Sequence, residues 1–123
     1  MNIETIHRNG VVIAHLSETA PVITDVQTAL DAAMTARYDV QTDLLAIDKR
    51  AICEDFFILS RGLAGEIMQK YTNYHIHVAI YGDYSRYASK PLRDFIYESN
   101  KGNHVFFVPT LEEALDRLST SKG

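Results

Sequence analysis

Two apolar-rich runs, residues 3–7 and 11–16, flank Asn9-Gly10. Both residues of an Asn-Gly pair accept positive φ, as a two-residue hairpin turn requires, so the pattern predicts two antiparallel strands at the start of the chain. After Pro21, Thr24 and Gln27 stand at capping-box spacing ahead of Val26, Ala29, Leu30, Ala33 and Met34, which recur every three or four positions; this predicts a first helix over residues 24–37. Residues 44–47, Leu-Leu-Ala-Ile, form a short run without polar alternation that ends at Asp48. Such a run reads as a strand covered on both faces, central in its sheet.

Beyond a charged connection containing Phe56 and Phe57, Leu63, Ile67, Met68 and Tyr71 mark a second helix, with Ser60 as its expected N-cap. Tyr74, Ile76, Val78 and Ile80 alternate with His75, His77, Ala79 and Tyr81, which predicts a strand with unequally buried faces, stopped by Gly82-Asp83. Ser89, with Pro91 in the first turn, opens a third helix through Leu92, Phe95 and Ile96, and Gly102 stands where a left-handed cap would end it. Residues 105–108 are the last strand; Thr110 and Glu113 then box the start of a closing helix carrying Leu111, Ala114, Leu115 and Leu118. Alternating strands and helices imply right-handed crossovers. The expected fold is α/β: a mostly parallel sheet with an N-terminal antiparallel hairpin and helices after strands 2, 3, 4 and 5. Residues 1–118 form one domain, and residues 119–123 a disordered tail.

Composition narrows the functional classes. The 123 residues carry a net charge of -4, and no Lys/Arg cluster is denser than Lys49-Arg50 after Asp48, so the basic footprint of a nucleic-acid binder is missing. Cys53 is the single cysteine, which excludes an internal disulfide and a zinc knuckle and fits a reducing compartment. The N-terminus has neither a basic n-region nor an unbroken apolar h-region, and no segment approaches the roughly 20 apolar residues of a membrane span. The reading is a cytoplasmic chain with no membrane and no nucleic-acid partner.

The order of elements resembles the STAS domain of sulfate-transporter cytoplasmic domains and anti-sigma-factor antagonists, in which a strand ending in Asp leads to a serine-containing loop and a helix. That resemblance implies a regulatory, phosphorylatable serine, for which Ser60 in Leu59-Ser60-Arg61-Gly62 is the counterpart after a longer connection. In its residues the chain more closely resembles a bacterial family known only as domain-of-unknown-function family 4180. The likeness is carried by Asp55-Phe56-Phe57, Gly62-Leu63-Ala64-Gly65-Glu66, Gln69-Lys70, Asn73-Tyr74, Gly82-Asp83, Phe95, Glu98-Ser99-Asn100 and Gly102. It implies no activity.

In open α/β sheets, ligands sit beyond the carboxyl ends of the parallel strands. Two connections meet that description here, residues 48–61 and 82–93. They supply the candidate binding residues Asp48, Lys49, Asp55, Ser60, Arg61 and Gly62, and Gly82, Asp83, Ser85, Ser89 and Arg93. Ser60 either caps a helix or takes a phosphate beside Arg61. Gly62 and Gly65 inside a helical pattern indicate close backbone packing or, failing that, approach of a bound group. His75 and His77 share a predicted strand face, but no third metal ligand stands at fixed spacing, and a half-exposed sheet face explains them. Cys53 has no neighbouring base and reads as a packed thiol. Tyr81, Tyr84, Tyr87 and Tyr97 near Arg86, Lys90 and Arg93 have the composition of an interface hot spot. The functional expectation is a cytosolic binding or regulatory module acting on an unidentified protein partner, with no catalytic residues, metal or cofactor assigned. A homodimer through the hairpin edge is open to it. The alternative is a small-molecule-binding protein or minor enzyme using Asp48, Asp55, Ser60 and Asp83 around a polar pocket.

Overall fold

The computed structural model describes residues 2–121. A five-stranded sheet runs in the order β1 (Ile3–Arg8), β2 (Val11–Leu16), β3 (Leu44–Asp48), β4 (His77–Tyr81), β5 (Val105–Val108). β1 pairs antiparallel with β2 in the register Arg8↔Val11 to Ile3↔Leu16, and the other neighbours are parallel. The turn is the expected one, with Asn9 at φ 52 and Gly10 at φ 80.

Because β2 to β5 lie side by side in chain order, three right-handed crossovers must place α1 (Val26–Thr35), α2 (Leu63–Asn73) and α3 (Lys90–Asn100) on the same face. That face buries Leu16, Leu45, Ile47, Val78, Ile80 and Phe107 against Ala29, Ala33, Ile67, Tyr71 and Leu92. The opposite face would stay bare without α4 (Leu111–Ser121), whose Ala114, Leu115 and Leu118 cover Ile13, Leu44, Ala46, Ala79 and Phe106. Arg8 ties α4 to β1 through Glu112 at 2.8 Å and through Asp116. With a helix layer on each side, all of β3 is buried, as its apolar run required. β4 is unequally buried, as expected: Val78 and Ile80 on one face are both buried, whereas on the other only Ala79 is, with His77 and Tyr81 part-exposed at the strand ends.

Several boundaries differ from the sequence pattern. α1 starts two residues late, its cap shifted by one: Ile23 is held extended against Ile52, and the capping box forms between Asp25 and Thr28, not Thr24 and Gln27. A π-helical turn, Ala36–Val40, follows α1 and ends at Gln41 in left-handed backbone. Residues 74–76 do not belong to β4. They end α2, with His75 at φ 61 and Ile76 N–H donating to Tyr71 O at 2.8 Å, the hydrogen-bond pattern of a Schellman motif. α3 has Ser89 as its cap, as expected, but Gly102 is not left-handed; Lys101 and Gly102 bond back to Glu98 and Ser99 in a tightened last turn. α4 continues past Leu118 to Ser121, where a disordered tail was expected; residues 122 and 123 lie outside the described residues.

The two sheet edges differ. Asn100 donates to Phe107 O at 3.0 Å and accepts from Phe107 N at 2.7 Å, so its amide occupies the β5 edge as a strand would. β1 is the other edge.

Candidate functional site

β3 and β4 are neighbours, so the connections leaving their carboxyl ends face each other. Between them lies a basin of about 400 Å³, lined by Asp48, Lys49, Arg50, Tyr81, Gly82, Asp83 and Arg86. Three short 3-10 turns, Lys49–Ala51, Glu54–Phe57 and Leu59–Arg61, make up most of the first connection. Asp48 begins the first of them by accepting the Arg50 backbone N–H at 2.9 Å, and the Arg50 guanidinium returns to grip both carboxylate oxygens at 3.1 and 2.8 Å. Burial alone would raise the Asp48 carboxyl. The hydrogen bonds and charge of Arg50, with nearby His15, more than offset it and hold the group below its ordinary 3.8. Asp83, exposed, is also lowered, because Ser85 bonds to it.

Lys49 follows, with its side chain only 9% exposed. Its ammonium stands 5.1 Å from the Phe57 ring centre and 4.7 Å from that of Tyr87, a two-ring cation-π seat. The stem lies against Gly82, where a Cβ would come 2.7 Å from Lys49 Cβ; only glycine leaves room for it.

Behind the basin runs a polar row that the sequence reading did not find. Buried His15 on β2 meets Glu4 Oε1 through Nδ1 at 2.7 Å and the Tyr81 hydroxyl through Nε2 at 2.6 Å. A carboxylate only accepts, so Nδ1 carries a proton and donates to Glu4, while Nε2 pairs with the Tyr81 hydroxyl. Burial, then the charge of Asp48, pushes the Tyr81 phenol up to about 12, so the hydroxyl keeps its proton and serves the basin as a fixed polar group.

A second depression, a groove of about 380 Å³, adjoins the basin across Arg86. One wall is Glu54, Phe57, Ile58, Leu59 and Ser60; the other is Tyr87, Ala88, Ser89, Pro91 and Leu92. Tyr87 stacks on Phe57 at 5.3 Å, and its hydroxyl donates to Glu54 Oε2 at 2.9 Å. Ile58 is 44% exposed beside it. A larger depression of about 560 Å³ sits at the opposite ends of the strands, but Arg37 there is already committed to Asp43 at 2.7 Å and to Tyr74 O.

Of the residues picked from sequence, Asp48, Lys49, Gly82 and Asp83 therefore meet in the basin, and Ser60 and Ser89 in the groove. Asp55, Arg61, Ser85 and Arg93 are exposed and line neither depression, so the four-residue pocket of Asp48, Asp55, Ser60 and Asp83 is not formed as one site. Arg50, Tyr81 and Arg86 complete the basin; only the three-dimensional pairing of β3 with β4 selects them. Ser60 does not cap α2. The cap is Gly62 at φ 82, and Ser60 lies inside the Leu59–Arg61 turn, two residues too early to reach the helix N–H groups. Of the tyrosines, Tyr84 donates to Ile80 O and packs on Phe57 and Phe107, whereas Tyr97 is exposed.

The glycine reading is also corrected. Gly62 is required by its left-handed backbone, and a Cβ at Gly65 would meet nothing within 4 Å, so neither glycine marks close packing. Gly65 is simply an exposed helical glycine. Gly65→Ala is expected to raise the unfolding free energy by about 0.5–1 kcal/mol through lost backbone freedom in the unfolded chain. Urea denaturation checks this, and a loss of stability would mean that the site is not open.

His75 and His77 do not share a strand face, because His75 lies in the α2 cap. His77 instead stacks on His104 at 4.6 Å, and among the described residues no group of three His, Cys, Asp or Glu side chains is placed to hold a metal. The His104 Nδ1 is buried without a hydrogen-bond partner. Burial, followed by the charges of His77 and His75, lowers His104 below the ordinary 6.5. The fold thus favours neutral His104. Its contribution is complete above 6.5 and is lost as pH falls through the lowered folded value, where the unfolded chain takes up a proton first. Denaturation at pH 7.5 and pH 5 is expected to show the chain weaker at pH 5, with a smaller difference in His104→Gln; an unchanged difference would remove His104 as the cause.

Residues 8–118 match the family model described as Domain of unknown function (DUF4180). The chain belongs to this family. The matched span includes β2 to β5, both connections and therefore every residue lining the basin and the groove of this DUF4180 member. Neither the curated proteins nor the solved structures contain a significant match to the chain.

Proposed function

We propose that the chain is a cytoplasmic binding module that acts on a protein partner through the groove between the 48–61 and 82–93 connections. One observation carries the reading: two segments distant in sequence oppose each other across an amphipathic groove, with half-exposed Ile58 and the Tyr87 ring inside it and the exposed cation Arg86 at its rim. Aromatic rings and arginine beside an apolar side chain are the composition of an interface hot spot. Ser60 on the groove wall is the position at which a phosphate would reverse the local charge, so phosphorylation there would regulate docking. The STAS-like reading of the layout and a bacterial source belong to the same proposal; a hairpin followed by strand–helix units, with a strand-ending Asp48 ahead of Ser60, supports them. No helix among the described residues is long and apolar enough to cross a membrane. A second copy would pair along β1, the edge that Asn100 does not protect.

The test is native mass spectrometry of the chain purified from its own source at low salt, with groove variants Ile58→Asp and Arg86→Glu, the phosphate mimic Ser60→Asp, and Arg61→Glu as a control outside both depressions. A protein bound to wild type and Arg61→Glu but lost from the groove variants supports the module. The absence of any bound protein, or retention by all variants, overturns it.

A further inference from the structure

We propose that the basin beside the groove is a binding site for a small phosphate monoester, with Lys49 and Arg86 as its cationic ligands. Within the basin Asp48 is neutralised by Arg50, whereas Lys49 and Arg86 have no carboxylate in close contact. Both Asp48 oxygens are held by Arg50, and Asp83 accepts the Ser85 N–H at 2.9 Å. The Lys49 ammonium, on a side chain that is nine-tenths buried, makes no hydrogen bond among the described residues, and the Arg86 guanidinium, beside the Tyr87 hydroxyl, reaches no carboxylate closer than 3.8 Å. What the basin offers a ligand is therefore N–H donors.

The two cations also converge. Lys49 Nζ and Arg86 Nη2 each stand 3.8 Å from the same atom, Glu54 Oε1. That distance is too long for a hydrogen bond, and Glu54 is held where it is by the Tyr87 hydroxyl on its other oxygen. A doubly charged phosphate in the basin would give both cations short charge-assisted contacts that one tethered carboxylate does not. The Lys49 ammonium is seated beside the stacked Phe57 and Tyr87 rings, which line the adjoining groove, and Arg86 lines both depressions, so the two cations meet where basin and groove join and can bracket a compact tetrahedral group there. Tyr81, oriented by His15, supplies a polar group for the remainder of the molecule. At about 400 Å³ the basin is of metabolite size.

Inorganic phosphate is the probe. Titrated into the full chain at constant ionic strength, it is expected to give saturable amide shifts at Lys49, Gly82, Asp83 and Arg86, with acetate weaker by about tenfold or more because it carries one charge instead of two. Arg86→Gln is expected to weaken phosphate by about tenfold, the loss of one charge-assisted contact. Lys49→Gln should abolish saturation, and Arg61→Gln should leave it unchanged. Arg86 is exposed, so Arg86→Gln is expected to keep the fold and decides the matter if Lys49→Gln unfolds. Shifts that do not saturate, that spread over all surface cations, that persist in Arg86→Gln or that acetate reproduces at equal strength overturn the site.

Discussion

Phe56→Ala is expected to lower the unfolding free energy by about 3–5 kcal/mol, as for other large aromatic truncations in a packed core. A 3-10 connection of this length would ordinarily ride on the surface. Phe56 is instead 1% exposed, edge-on to Phe57 at 4.9 Å and tilted against Phe107 on β5 at 6.4 Å. It pins the middle of the connection to the core, while the flanking residues Glu54, Phe57 and Ile58 form the groove wall and the Lys49 seat. Removing it leaves a cavity that the edge strand cannot collapse to fill, since β5 is held by Asn100 on its outer side. Chemical denaturation gives the number: a midpoint shift at constant m reports lost packing, and a loss below about 1 kcal/mol would show that the ring is not an anchor. The prediction extends to binding, because Phe57 stacks on Tyr87 only if its own turn stays in place.

How much of this was legible in advance depended on whether a signal was local. The hairpin, the doubly covered β3 and the Ser89 and Thr110 caps are set by neighbours within a few residues, and each stands where the pattern put it. Residues 74–76 failed because Tyr74 and Ile76 keep strand alternation with Val78 while the backbone turns at His75. A left-handed histidine in place of the usual glycine leaves no compositional mark. The π turn after α1 failed similarly, since Ala36–Val40 continues a helix-compatible sequence.

The site divides along the same line. That the two connections would adjoin was expected from consecutive strands lying side by side, and the pairing of β3 with β4 bears it out. Their partner residues did not: Arg86 and Tyr81 acquire meaning only once Asp48 is paired with Tyr81 across β3 and β4. The Glu4–His15 pair is a different case. A two-residue turn at Asn9-Gly10 fixes the register Arg8↔Val11, and counting outward puts Glu4 opposite His15. That pair was available from the turn alone, because register and turn length are a single constraint. Its third member, Tyr81, is two strands away and was not.

Gly82→Ala is expected to destabilise the chain by about 1–3 kcal/mol through overpacking. The added methyl would lie 2.7 Å from Lys49 Cβ and 3.1 Å from Lys49 Cδ, at the root of the side chain where rotation gives no escape. Either β4 shifts against β3, at the cost of the Asp48↔Tyr81 pairing, or the lysine stem leaves its track. The second movement would take the ammonium off the Phe57 and Tyr87 rings and alter the basin, so stability and phosphate binding should fall together. A double-mutant cycle isolates the cause. With Lys49→Gly in the background the methyl has nothing to strike, so the steric part of the Gly82→Ala penalty should vanish and leave only the strain of an alanine at φ 157, giving a coupling well outside the few tenths of a kcal/mol expected of independent sites. If the two substitutions add instead, glycine at this position serves the backbone alone, and the path of Lys49 across it is incidental to the site.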